Sequence, residues 1–230
     1  MNDIFLKYGS TKVKFLNSNF SKIIIKPLKL GYGHTLGNAL RRILLSSISG
    51  YAPTEIFFHN VLHEYSCLKG IKEDVIDILL NLKGIIFKLY DCKKVLLLLN
   101  KTDKKIILAS DIFLPYNVKI INPNHVIANL TLETSLKLEI VVEKGEGYVK
   151  RKKKKVNTNI NSVNIGKFSL DASFSPIRRV FYEVKNFYIE GKKFDKLELN
   201  VETNGLISPK NAVKKSINKF IKHLKLIKIF

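Results

Sequence analysis

Tryptophan is absent from this 230-residue chain, cysteine occurs twice, and 19 acidic residues face 40 basic ones. Cys67 and Cys92 lie far apart with no CxxC spacing, and no leading signal sequence is read, which excludes a disulfide framework and favours a reducing compartment. Apolar runs are short. The longest, Val95 to Leu99, has the length of a strand, far below the ~18–20 residues that span a bilayer, so no membrane crossing is expected. Arginine is also scarce, at 5 of the 40 basic residues. Lys, Ile and Asn number 35, 28 and 20, a skew that AT-rich codon drift produces without any ligand asking for it. The net charge of +21 is therefore poor support for nucleic-acid contact by itself. What the chain does have is 46% apolar residues and a mean hydropathy of +0.02, which excludes disorder of the whole molecule. The length allows one large domain or two small ones.

Thr11–Leu16 and Ser21–Ile25 are rich in β-formers and are joined by Asn17, Ser18 and Asn19, which predicts an opening hairpin closed by Pro27. The period then changes. Leu36, Leu40, Ile43, Leu44 and Ile48 form a helical stripe with Thr35 as the expected N-cap, and Gly50 and Pro53 end it. Glu55 to about Leu62 returns to strand. Ile71, Val75, Ile78, Leu79 and Leu82 mark a second helix, with Glu73 and Asp74 in its first turn and Gly84 as an expected left-handed stop. Short apolar segments follow at 85–89, 95–99, 106–108, 118–121, 126–132 and 136–142, a spacing that predicts antiparallel β structure. Lys150–Lys155 is an unbroken basic run followed by Asn157, Asn159, Asn161 and Asn164, read as a solvated loop. Strand character resumes at 168–170, 180–189 and 197–201. Ser208 and Pro209 then start a helix with Val213, Ile217, Phe220, Ile221 and Leu224 on one face and lysines on the other. Packing of that face against another helix is favoured over a place on a membrane surface.

Little in the chain carries chemistry. Gly31, Gly33 and Gly37 stand between a strand and a helix, where a phosphate-cradling loop would sit, yet their GxGxxxG spacing departs from GxGxxG and reads as tight backbone turning. His59 and His63 followed by Glu64 reverse the HExxH order of a zinc site. Cys67 near His63 reads as a structural thiol rather than a nucleophile with its base. No catalytic constellation, metal site or cofactor site is expected, so the function is expected to reside in surfaces.

The stretch from Gly31 to Ser47, GYGHTLGNALRRILLSS, closely resembles the signature helix of the α-subunit family of bacterial-type DNA-dependent RNA polymerases. The similarity continues, in order, through 61–66, 73–84, 120–126, 143–149, 170–179 and 202–209. The resemblance implies an α+β fold in which a discontinuous dimerisation subdomain, residues 1–50 and 170–230, combines a sheet with two long helices. A mainly-β subdomain, 51–169, is inserted between its halves. It implies a homodimer, with Leu36, Leu40, Leu44, Ile217, Phe220 and Leu224 chosen for the dimer face.

The same resemblance implies a non-catalytic scaffold, in which one copy of α captures the β subunit and the other engages β′, with omega and sigma in the complex. Arg41, Arg42, Ser46, Lys83 and Gly84 are the implied β-docking residues, and Arg42 is preferred because a guanidinium makes bidentate contacts to carboxylate or carbonyl groups. Asp171, Ser175, Pro176, Arg179, Asn204 and Gly205 are implied to face β′. The family's carboxy-terminal DNA-binding domain finds no room before Phe230, so DNA contact is expected only through the complex. The expected setting is the cytoplasm of a bacterium with a reduced, AT-rich genome, or else a plastid. The runner-up is a free-standing basic nucleic-acid-binding protein.

Overall fold

A computed structural model of the chain describes residues 10–59, 61–102, 105–131, 134–150 and 166–226. Of the basic run only Lys150 is among them; 151–155 and the asparagines at 157, 159, 161 and 164 lie outside, as do Leu132 and Ile227. The fold is α+β, with two compact units: residues 1–49 with 175–230, and residues 50–174.

In the first unit, β1 (Ser10–Asn17) and β2 (Phe20–Leu28) form the opening hairpin, tightened to a two-residue turn because Asn17 pairs with Phe20. Strand β2 runs past Pro27. There two residues of β2, Lys26 and Pro27, oppose one residue, Lys196, on the neighbouring strand, and a bulge tolerates a residue with no N–H. The sheet is completed by β13 (Ile177–Ile189) and β14 (Lys192–Thr203) in the antiparallel order β1-β2-β14-β13. Among the described residues its helices are α1 (Tyr32–Ser47) and α3 (Pro209–Leu226). Ile23, Val180, Leu199 and Val201 from the strands meet Leu40 and Leu44 of α1 and Ala212 and Val213 of α3 in one core. Both helices therefore lie on the same sheet face.

The second unit is mainly β. Strands β3 (Ser49–Phe58), β5 (Lys94–Thr102), β9 (Ser135–Glu146) and β11 (Lys167–Ser169) make a sheet in the order β11-β3-β9-β5. Period-two alternation decides which side chains enter the core: Leu136, Leu138, Ile140 and Val142 of β9 point inward, with Leu97 and Leu99 of β5. The apolar run at 95–99 thus divides between two faces, and Leu96 and Leu98 stay exposed. Two-stranded ribbons pair β4 (Phe87–Leu89) with β7 (Val118–Ile120) and β6 (Ile106–Leu108) with β8 (Val126–Asn129). A third pairs β10 (Tyr148–Val149) with β12 (Ala172–Ser173), a ribbon too short to leave a pattern in sequence. Helix α2 (Val75–Lys83) buries Val75, Ile78, Leu79 and Leu82 against this core. It starts later than its apolar spacing predicted, because the backbone before it is paired elsewhere: Ile71 bridges to Leu130, Lys72 N donates to Asn129 O at 3.0 Å and Asp74 bridges to Cys67.

Candidate functional site

Helix α1 starts three residues ahead of the expected Thr35 cap. Its N-cap is Gly31, in the left-handed conformation at φ 88°, which a side chain would strain. Thr35 is already helical, and its hydroxyl donates back to the Gly31 carbonyl at 3.3 Å. The exposed backbone donors at the helix start are met by Asp195 of β14, whose Oδ2 accepts from Gly31 N at 2.8 Å and Gly33 N at 3.1 Å. A helix N-terminus attracts anions, and here the anion is the protein's own buried carboxylate. Gly33 and Gly37 lie flat on the neighbouring strand: a Cβ at Gly33 would stand 2.7 Å from Val184 Cγ1, and one at Gly37 2.5 Å from Tyr182 Cδ2. Gly33 and Gly37 thus dock the helix on the sheet, and Gly31 turns the chain into it. Sequence reading missed Asp195, although its signal was there, since it falls in step with Leu197, Leu199 and Val201 on the inward face of its strand.

The apolar stripes of α1 and α3 divide between the interior and the surface. Leu40 and Leu44 are 4% and 0% exposed, sealed in the core of their own unit, so they leave the list of dimer-face residues. The physical reason is that the sheet lies beneath this stripe of α1. Leu36 and Phe220 are half-buried, while Ile217, Ile221 and Leu224 keep 37%, 44% and 50% of their surface open. Spacings of four and three residues put these last three side chains on one side of α3.

Arg41 is half-buried and Arg42 exposed on α1; Ser46, also exposed, donates its hydroxyl to the Arg42 carbonyl at 2.8 Å. Lys83 and Gly84 end α2 in the second unit, both exposed. Gly84 is right-handed, at φ −74°, and not the expected left-handed stop. Glycine is required there by close approach, for a Cβ would stand 2.7 Å from His125 Nε2, which sits 2.8 Å from the Asn81 carbonyl oxygen.

Of the second docking set, Ser175, Pro176, Arg179, Asn204 and Gly205 gather at one end of β13 and β14. Asn204 N donates to Pro176 O at 2.9 Å, and Arg179 pairs with Glu202 at 3.5 Å while lying over the Phe181 ring. Asp171 belongs to the second unit. The chain passes between units at 174/175 rather than at 170, and Asp171 accepts a hydrogen bond from Tyr148, holding that phenol above its ordinary pKa.

The sheet face of the first unit away from the helices carries a charge cluster. Glu198, itself nearly closed off from solvent, is met by Lys196 at 2.5 Å, Lys22 at 2.6 Å and Lys185 at 3.4 Å. The Lys196 and Lys22 hydrogen bonds outweigh burial and hold its carboxyl at about 2 instead of 4.5.

Other titratable groups are tied to structure. The Asp74 carboxylate accepts from the Cys67 thiol and pushes its pKa up, the reverse of what a nucleophile needs. His63 pairs with Ser66, and His59 faces Glu139. Among the described residues no group of three or more His, Cys, Asp and Glu side chains could hold a metal ion, and no helix is long and apolar enough to cross a membrane. A cleft of about 380 Å³ in the second unit is lined by Glu55 and Glu143, each held at 2.8 Å in an ion pair, with Lys167 and Lys94.

Residues 53–175, just over half of the chain, match the family described as RNA polymerase Rpb3/RpoA insert domain. That stretch is nearly coextensive with the second unit.

Proposed function

Since the chain belongs to the RNA polymerase Rpb3/RpoA family, as an α-type subunit of a DNA-directed RNA polymerase, we propose that it acts as a homodimeric assembly platform for the two large subunits. The observation that carries this reading is the apolar stripe of α3, Ile217, Ile221 and Leu224, left open beside α1. Burying such surface against a second copy is favourable at about 25 cal/mol per Å² before association costs. In this reading Arg42, with Arg41 and Ser46, docks the β subunit from one copy, and Lys83 and Gly84 of the inserted unit are docking residues for the same subunit. Ser175, Pro176, Arg179, Asn204 and Gly205 of the other copy face β′, together with Asp171. The chain holds no active site of its own, needs no cofactor and meets DNA through the assembled enzyme, with omega and sigma as further partners. Its place is the bacterial cytoplasm, or a plastid.

The test is co-purification of the tagged chain with co-expressed β subunit. The wild type should retain β and sediment as a dimer when alone; Arg42→Ala should stay dimeric and lose β. A wild-type chain that sediments as a monomer, or an Arg42→Ala dimer that retains β, would overturn the proposal.

A second reading, a free-standing nucleic-acid-binding protein, is favoured by one observation: α3 carries six lysines and no acidic residue. It requires the isolated dimer to bind duplex DNA with log affinity falling by about 0.9 per phosphate contacted as log salt rises.

A further inference from the structure

We infer that Asp195 is the positioning residue of the docking helix, setting the angle at which α1 presents Arg41 and Arg42. The inference rests on the reading of α1 as the β-docking element. Before Leu40, the buried residues of α1 are Gly33 and Gly37, which have no side chain to insert into the core. Hydrogen bonds to Asp195 Oδ2, from Gly31 at 2.8 Å and Gly33 at 3.1 Å, hold this half of the helix to the sheet. The other half is held differently, by Leu40 and Leu44 packed among strand residues.

A helix fastened at one end by side-chain packing and at the other by a carboxylate can swing about its packed end if the carboxylate is lost. Arg42 lies nine residues past Gly33, about 14 Å along the axis at ~1.5 Å per residue, and Arg41 stands next to Leu40. Arg41 and Arg42 lie at this packed end, between Leu40 and Leu44, so a tilt of the helix changes the direction of their side chains more than their position, and the carboxylate sets that direction. Backbone contact makes the arrangement stiff. Val184 and Tyr182 leave no room for a Cβ at Gly33 or Gly37, so any thickening of the glycine face also lifts the helix start from β13.

The experiment measures β-subunit capture per folded dimer in the full chain, beside sedimentation and thermal melting. Asp195→Ala should remain dimeric and lose capture, whereas Asp195→Asn, whose amide oxygen can still accept both N–H groups, should keep it. A role in stability alone would lower the melting temperature and leave capture per dimer unchanged. Gly33→Ala reaches the same lever sterically, its Cβ standing 2.7 Å from Val184 Cγ1 and 3.1 Å from Asp195 Oδ2: it should lose capture, and Gly33→Ala with Val184→Ala should regain it. Should Asp195→Ala yield no soluble dimer, this second pair decides. Normal capture by Asp195→Ala or Gly33→Ala dimers while Arg42→Ala loses β overturns the positioning role alone. Normal capture by Arg42→Ala as well removes the docking reading beneath it.

Discussion

The Lys219 ammonium donates a 2.7 Å hydrogen bond to the carbonyl oxygen of Ser47, the last residue of α1. A helix leaves its final carbonyls unpaired and carries partial negative charge there, so a cation from α3 answers both needs at once. This contact joins the two helices at the end of α1 opposite to Asp195. Lys219→Met should cost about 1 kcal/mol, read as a melting temperature lowered by a few degrees, and Lys219→Arg should recover most of it.

The division of the two stripes separates fold from assembly. Leu44→Ala empties a fully buried site and should cost about 2–5 kcal/mol in denaturant unfolding. Leu44→Asp places an unpaired charge in the core and should unfold the first unit rather than yield folded monomers. Ile217→Asp and Leu224→Asp change exposed positions, so each should melt within about 0.5 kcal/mol of wild type while shifting sedimentation from dimer to monomer.

Neither α1 nor α3 contains an aspartate or a glutamate. A dimer built on these helices brings cations together with no opposite charge from either helix to relieve them. Screening should therefore tighten it, and sedimentation equilibrium should show a higher dimer fraction at high salt than at low salt. An interface held by ion pairs would respond in the opposite direction.

Glu198 makes the stability of the first unit depend on pH in the acid range. Its carboxyl titrates at about 2 when folded, below the ordinary 4.5, so the stability it contributes is present above pH 4.5 and is lost as pH falls from there through 2. Glu198→Gln should melt several degrees below wild type at neutral pH. The gap should close as melting curves are taken at successive pH values between about 4.5 and 2.

Much of this molecule was legible along the chain because its signals are local. The opening hairpin declared itself by β-formers around a turn, the terminal helix by Pro209, and the strands of the second unit by short apolar segments between polar ones. Residues distant in sequence were harder to read. Gly84 looked like a left-handed stop because glycine commonly serves there, and only the ring of His125, 41 residues on, explains a right-handed one. Helix α2 begins late because the backbone of Ile71 and Lys72 is claimed by Leu130 and Asn129.

Periodicity determined that residues 36–48 and 213–224 would be helical and apolar along one side, since that depends on neighbours three and four positions apart. Which of those apolar residues face inward depends on a sheet assembled from strands at both ends of the chain. Leu40 and Leu44 went to the core and Ile217 and Leu224 to the surface because the β1-β2-β14-β13 sheet lies under the stripe of α1 but, past Val213, not beneath that of α3. The glycines at 31, 33 and 37 read along the chain as tight backbone turning. That Gly33 and Gly37 lie against Val184 and Tyr182, and that Gly31 and Gly33 donate to Asp195, 162 residues beyond Gly33, was decided only when β13 and β14 paired beside β2.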